Sequence, residues 1–201
     1  MKKIFTLSSL FVAAAMSLNA QHITSITSDL DAGELEALYV SNNGKYICGT
    51  TMSAHYFVYD IENRVLKHQA GPSDESGDAV DSQLRQITND GLAIGYAGNY
   101  PITMDKDGNV TQLDTLANDA DHACTIAFGI SNDGKTAVGC AYSTYSVPVI
   151  WQDGKLSQLT MPTDEEVGYT VNGAVAKYVS ADGSIVVGYI EDDMSTYPAI
   201  M

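Results

Sequence analysis

Ile130-Ser131-Asn132-Asp133-Gly134-Lys135-Thr136-Ala137-Val138-Gly139 is a tight turn between two apolar runs, closed by a second glycine. The Ser-x-Asp-Gly element reads as a hairpin, because glycine accepts the positive φ of the turn and the Asp side chain can bond the local backbone. Three further segments match it: Val40-Ser41-Asn42-Asn43-Gly44, Ile87-Thr88-Asn89-Asp90-Gly91 and Val179-Ser180-Ala181-Asp182-Gly183. Their turn glycines are 47, 43 and 49 residues apart, and the second glycines are Gly49, Gly95, Gly139 and Gly188.

Two more landmarks recur in the same order. Pro101 to Met104, Pro148 to Trp151 and Pro198 to Met201 form one, with Tyr56 to Tyr59 as its first copy. Val110 to Leu113 and Leu156 to Leu159 form the other, each after an Asp-Gly turn. One repeat is then strand, turn, strand, loop, strand, turn, strand, which is a four-stranded antiparallel meander. The second strands, such as Ile185-Val186-Val187, are apolar on successive residues, a pattern of burial on both faces. Sheets stacked between sheets meet that condition, so the expected fold is an all-β β-propeller with blades near residues 35–68, 83–113, 125–160 and 174–201. No amphipathic helix is expected after residue 20.

The order of strand, S-x-D-G turn, glycine-closed apolar strand and strand ending in an aromatic such as Trp151 resembles the WD-repeat blade. It is still more similar to the bacterial extracellular repeats called the HAF family, over residues 35 to 201. The resemblance implies a propeller in an exported protein. Its motifs are turns and core positions, so it brings no catalytic residue.

The ends fit export. Lys2 and Lys3 precede the apolar stretch Ile4 to Met16, and Ala20 offers a cleavage position before Gln21, which reads as a signal peptide over residues 1–20 and a domain over 21–201. The expected location is secreted or periplasmic. The segment 22–27 has the apolar spacing of Leu156 to Leu159 and is a candidate closing strand for the fourth blade. Two readings stay open: a closed four-bladed ring, or the front portion of a larger propeller.

A formal charge of −15, or −17 without Lys2 and Lys3, disfavours nucleic acid and anionic membrane as partners. Cys48, Cys124 and Cys140 lack the spacing of a disulfide framework or a zinc site. No nucleophile motif, phosphate-binding loop, metal motif or cofactor motif is present, so catalytic residues, metal and cofactor are all expected to be none.

Function is expected on the loops opposite the Asx-Gly turns, which are rich in tyrosine and acid. The candidate ligand-binding residues are Tyr96, Tyr142, Tyr145, Tyr169, Asp192, Asp193, His55 and His122. Tyrosine offers a flat amphipathic surface to sugars and peptides. Tyr100 and Tyr197 precede the repeated prolines and are assigned to packing within the repeat. The expected function is non-catalytic binding or scaffolding of a glycan, peptide or protein. The alternative is a polysaccharide hydrolase or lyase using carboxylates.

Overall fold

The computed structural model describes residues 26, 35–116, 124–142 and 144–201. It is all-β, as the period and the turns predict. The first sheet contains β1 (Leu35–Val40), β2 (Tyr46–Thr51), β3 (His55–Asp60) and β4 (Val65–Ala70). The second contains β5 (Ser82–Ile87), β6 (Ala93–Ala97), β7 (Tyr100–Met104) and β8 (Val110–Gln112). The third contains β9 (Cys124–Ile130), β10 (Thr136–Tyr142), β11 (Ser146–Gln152) and β12 (Lys155–Gln158). The fourth has three strands among the described residues, β13 (Gly173–Val179), β14 (Val186–Glu191) and β15 (Thr196–Ile200). Neighbouring strands pair antiparallel in chain order throughout.

The repeated turn works through its Ser or Thr. Ser131 Oγ donates to Asp133 Oδ1 at 2.6 Å and accepts the Thr136 N–H at 3.0 Å. Ser41 and Ser180 repeat this bridge with Asn43 and Asp182, and Gly134 takes the positive φ of 74° that the turn needs. Successive turns also bond one another. The Asn43 N–H donates to Asn89 Oδ1 at 2.8 Å, the Asn89 N–H to Asn132 Oδ1 at 2.9 Å, and the Asn132 N–H to the Ala181 carbonyl at 2.9 Å.

Carboxylates in these turns, and Asp105 in the β7–β8 turn, are held below their usual range. The hydrogen bond from Ser180, with others from Ser184, holds the Asp182 carboxyl down at about 2. Ser131 lowers Asp133 in the same way, and Asn109 lowers Asp105. A depressed folded pKa contributes stability that is fully present above the unfolded value of about 3.9 and is lost as pH falls through the folded one. The melting temperature is therefore expected to hold down to about pH 4 and to fall between pH 4 and pH 2. Calorimetry across that range checks it, and Asp182→Asn should shrink the fall.

The second glycine of each repeat has a reason the sequence does not show. Each first strand carries a bulge that leaves one residue unpaired: Leu38, Arg85, Phe128 and Lys177. A Cβ at Gly49, Gly95, Gly139 or Gly188 would collide with the carbonyl oxygen of Glu36, Gln83, Ile126 or Val175, respectively. The glycines serve close backbone approach opposite a bulge, not a special φ.

Each sheet packs on the next. Cys48, Tyr56 and Val58 of the first sheet meet Leu84, Ala93 and Met104 of the second. Ile94 of the second meets Ala127, Ala137, Val149 and Trp151 of the third, and Val138 and Ile150 of the third meet Ala176 and Val186 of the fourth. The first strands are the inner edge of the blades, while β4, β8 and β12 are the exposed outer edge. The four sheets are blades of a propeller.

The two ends of the blade series differ from the junctions between. Ile200 is 82% exposed, whereas its counterparts Val58 and Ile150 are 1% and 8%. Pro198 is exposed where Pro101 and Pro148 are buried, and Val40 is 59% exposed where Ile87 and Ile130 are 5% and 2%. No core cluster or turn-to-turn bond joins the fourth sheet to the first among the described residues. The candidate closing strand 22–27 lies outside the described residues except for Ile26, which is in no strand; residues 1–20 also lie outside them.

A helical turn, α1 (Asp164–Val167), stands between the third and fourth sheets. Thr163 and Glu166 cap each other reciprocally, and Gly168 ends it at φ 80°. Four residues are too few to show a helical period.

Candidate functional site

The groove with the most of the predicted ligand residues lies where two hairpin loops meet the segment leading into β13. It has a volume of about 540 Å³. Thr144, Tyr145 and Ser146 come from the β10–β11 hairpin, Asn172 from the segment before β13, and Glu191, Asp192, Met194, Ser195 and Thr196 from the β14–β15 hairpin; Asp193 is not in the lining. Tyr145 is 56% exposed and Met194 is 94% exposed.

Asp192 builds the β14–β15 loop. Its Oδ1 accepts the N–H groups of Met194 at 2.7 Å and Ser195 at 2.6 Å, and its Oδ2 accepts the Tyr197 hydroxyl at 3.0 Å. The Met194 bond, with that of Ser195, holds the carboxyl below its usual range, and Tyr197 is raised in turn by its bond to that carboxylate. Asp193 accepts from Asn172 Nδ2 at 2.5 Å, which ties the loop to the segment before β13. Both predicted carboxylates are thus committed to loop structure. Glu191 is the groove carboxylate left without a hydrogen bond among the described residues.

Tyr169 stacks on Tyr197, with centroids 4.1 Å apart and planes inclined at 22°. Through Tyr197 the pair is bonded to the groove loop. The assignment of Tyr197 to packing within the repeat missed this, because its partner lies 28 residues away in a segment with no repeat counterpart. Asn172 and Ser195 were also missed; an Asp-x-x-Ser loop at a hairpin end is the one signal that points to them.

The remaining predicted residues are elsewhere. Tyr96 lies on β6, is 5% exposed, and donates to Asp81 Oδ2 at 2.6 Å. Tyr142 ends β10, and burial raises its pKa. Both were read as loop residues, but the within-blade connections are tight hairpins and the strands run on into them. His55 lies on β3, edge-on to His68 at 5.8 Å, with Nδ1 buried and unpartnered. His122 lies outside the described residues.

The three cysteines are free. Burial raises the thiols of Cys48 and Cys140, the latter up to about 12, so both are neutral packing groups at ordinary pH. Among the described residues no group of three or more His, Cys, Asp or Glu could hold a metal ion, and no helix is long and apolar enough to cross a membrane.

No protein-family model and no curated protein sequence matches the chain. Solved structures do. TolB from Acinetobacter baumannii is 16% identical over 84% of this chain and 41% of its own, with a TM-score of 0.49. A selenomethionine-substituted virginiamycin B lyase from Staphylococcus aureus is 13% identical over 86% of this chain and 56% of its own, with a TM-score of 0.48. The chain thus spans about half the length of each of these larger proteins.

Proposed function

We propose that the protein is an extracytoplasmic, non-catalytic binding module that holds a glycan in the groove between Tyr145 and the Asp192 loop. The observation that carries this reading is the exposed Tyr145 in the groove wall, with the Asp192 loop of the same groove bonded to the Tyr169–Tyr197 stack, which stands outside the lining. A rigid aromatic pair gives an amphipathic surface at little entropic cost, and sugar rings present matching C–H faces. The groove walls add the hydroxyls of Thr144, Ser146, Ser195 and Thr196 as hydrogen-bonding groups. The likeness of the repeats to HAF-type extracellular repeats, and the leader-like residues 1–20, support a place outside the cytoplasm.

Hydrolysis or lysis of a polysaccharide is the runner-up. It calls for two carboxylates flanking one bond, and the groove offers Glu191 with Asp192 already bonded. Release of reducing sugar or unsaturated product from polysaccharide would favour that reading.

Glycan and peptide arrays probed with the protein test the proposal. A glycan signal is expected, with Tyr169→Ala weakening it about tenfold by removing the ring against which Tyr197 holds the Asp192 loop. Silence on the glycans, or an unchanged Tyr169→Ala, would sink it, and signal confined to peptides would move the ligand class.

A further inference from the structure

We propose a second binding site, on the inner edge of the blades, in which Arg85 and Lys177 take a carboxylate-bearing ligand. It does not depend on the groove reading. The bulge on each first strand turns one unpaired residue inward, and in three consecutive blades these residues meet. The Arg85 guanidinium lies 5.3 Å from the centre of the Phe128 ring, and Lys177 Nζ lies 4.7 Å from the same ring. Tyr96 and Tyr189 flank the group, 5.5 Å from Arg85 and 5.8 Å from Lys177.

Two facts mark this cluster as a site. First, among the described residues neither cation has a carboxylate within ion-pairing distance, in a chain with 25 acidic residues; the ion pair there is Lys106–Asp107. Half-buried cations normally take such partners where acids are plentiful. The nearby Asp81 is bonded to the Tyr96 hydroxyl instead. Second, Arg85 Nε is buried without a hydrogen-bond partner among the described residues, although a guanidinium donor withdrawn from water is costly to leave unmade. The aromatic faces offset part of the cost of the two charges, and the Tyr96 hydroxyl takes one hydrogen bond from Arg85, but Arg85 Nε is left open. A carboxylate accepts from the Arg fork through two oxygens and compensates both cations at once.

A carboxylate of this kind is carried by a uronic acid in a polysaccharide or by a small free acid. Calorimetric titration at low ionic strength with oligogalacturonate, with succinate and with a neutral galactose oligomer separates the sources. One of the carboxylate probes is expected to bind, with no heat from the neutral oligomer at this site. Binding should weaken at least tenfold in Arg85→Gln and in Lys177→Gln, and again when salt is raised. Arg85→Lys keeps charge without the fork; it should fold normally and bind more weakly than the parent. Absence of binding by both carboxylate probes overturns the proposal, as does binding that all three variants leave unchanged. Because Tyr169→Ala leaves this site intact, its effect and theirs tell the two sites apart.

Discussion

Gly139→Ala is expected to destabilise the protein by on the order of 3 kcal/mol, with a melting temperature lowered by roughly 6–12 °C. Gly139 sits mid-strand on β10, between β9 and β11. An added Cβ would collide with the Ile126 carbonyl oxygen, which the bulge at Phe128 pushes into that space, and would lie 3.0 Å from the Trp151 ring. The oxygen belongs to paired backbone and cannot swing aside as a side-chain tip could. Relief requires undoing the bulge, which shifts the register of β9 and so every residue it sends into two junctions. Thermal or urea denaturation measures the loss. A change under 1 kcal/mol would mean the bulge is soft and the repeated glycine is not needed for close approach.

Trp151→Ala should cost about 3–5 kcal/mol, the usual range for removing a large buried aromatic. Trp151 is 1% exposed and packs between the second and third sheets, and its Nε1–H donates to the Asp114 carbonyl at 2.8 Å. That bond fastens the segment after β8 to the blade that follows. Trp151→Phe separates the contributions: the hydrophobic body remains, one hydrogen bond goes, and about 1–1.5 kcal/mol is expected. Trp151 is the chain's one tryptophan, so circular dichroism or calorimetry must follow unfolding in these variants. Because Gly139 and Trp151 touch, the double variant should fall short of additivity, as removing the ring relieves one of the three close contacts at residue 139.

The turns were legible in the sequence because their chemistry is local. A Ser, an Asx and a glycine within five residues specify the hairpin whatever surrounds it, and the four copies announce the repeat. Burial on both faces was legible for the second strand of the third sheet, where Ala137 and Val138 are both buried. Of Ile185-Val186-Val187 only Val186 is buried and Ile185 is 51% exposed, because the fourth sheet is covered on one face alone among the described residues. The closing glycines could be seen but not explained. Their role appears only when the opposing strand is in place and its bulged carbonyl fills the missing Cβ.

The binding candidates were less legible. Tyr145 and Tyr169 were placed at or beside the groove, and Asp192 in its wall, yet the carboxylates read as ligand groups turned out to be the loop's own hydrogen-bond acceptors. Acidic and aromatic composition does not distinguish an Asx turn from a free side chain. Arg85 and Lys177 gave no signal, because the bulge that turns them inward is a departure from strand alternation visible only in the register.

By itself the sequence determined an all-β propeller of stacked meanders, since that outcome follows from turns and periodicities written within each 40-odd residues. Tertiary structure alone decided which loops converge on the groove, that Tyr197 stacks on Tyr169, and that two cations meet at one phenylalanine. Those contacts join residues from different repeats, and their geometry depends on how the sheets pack rather than on any local preference.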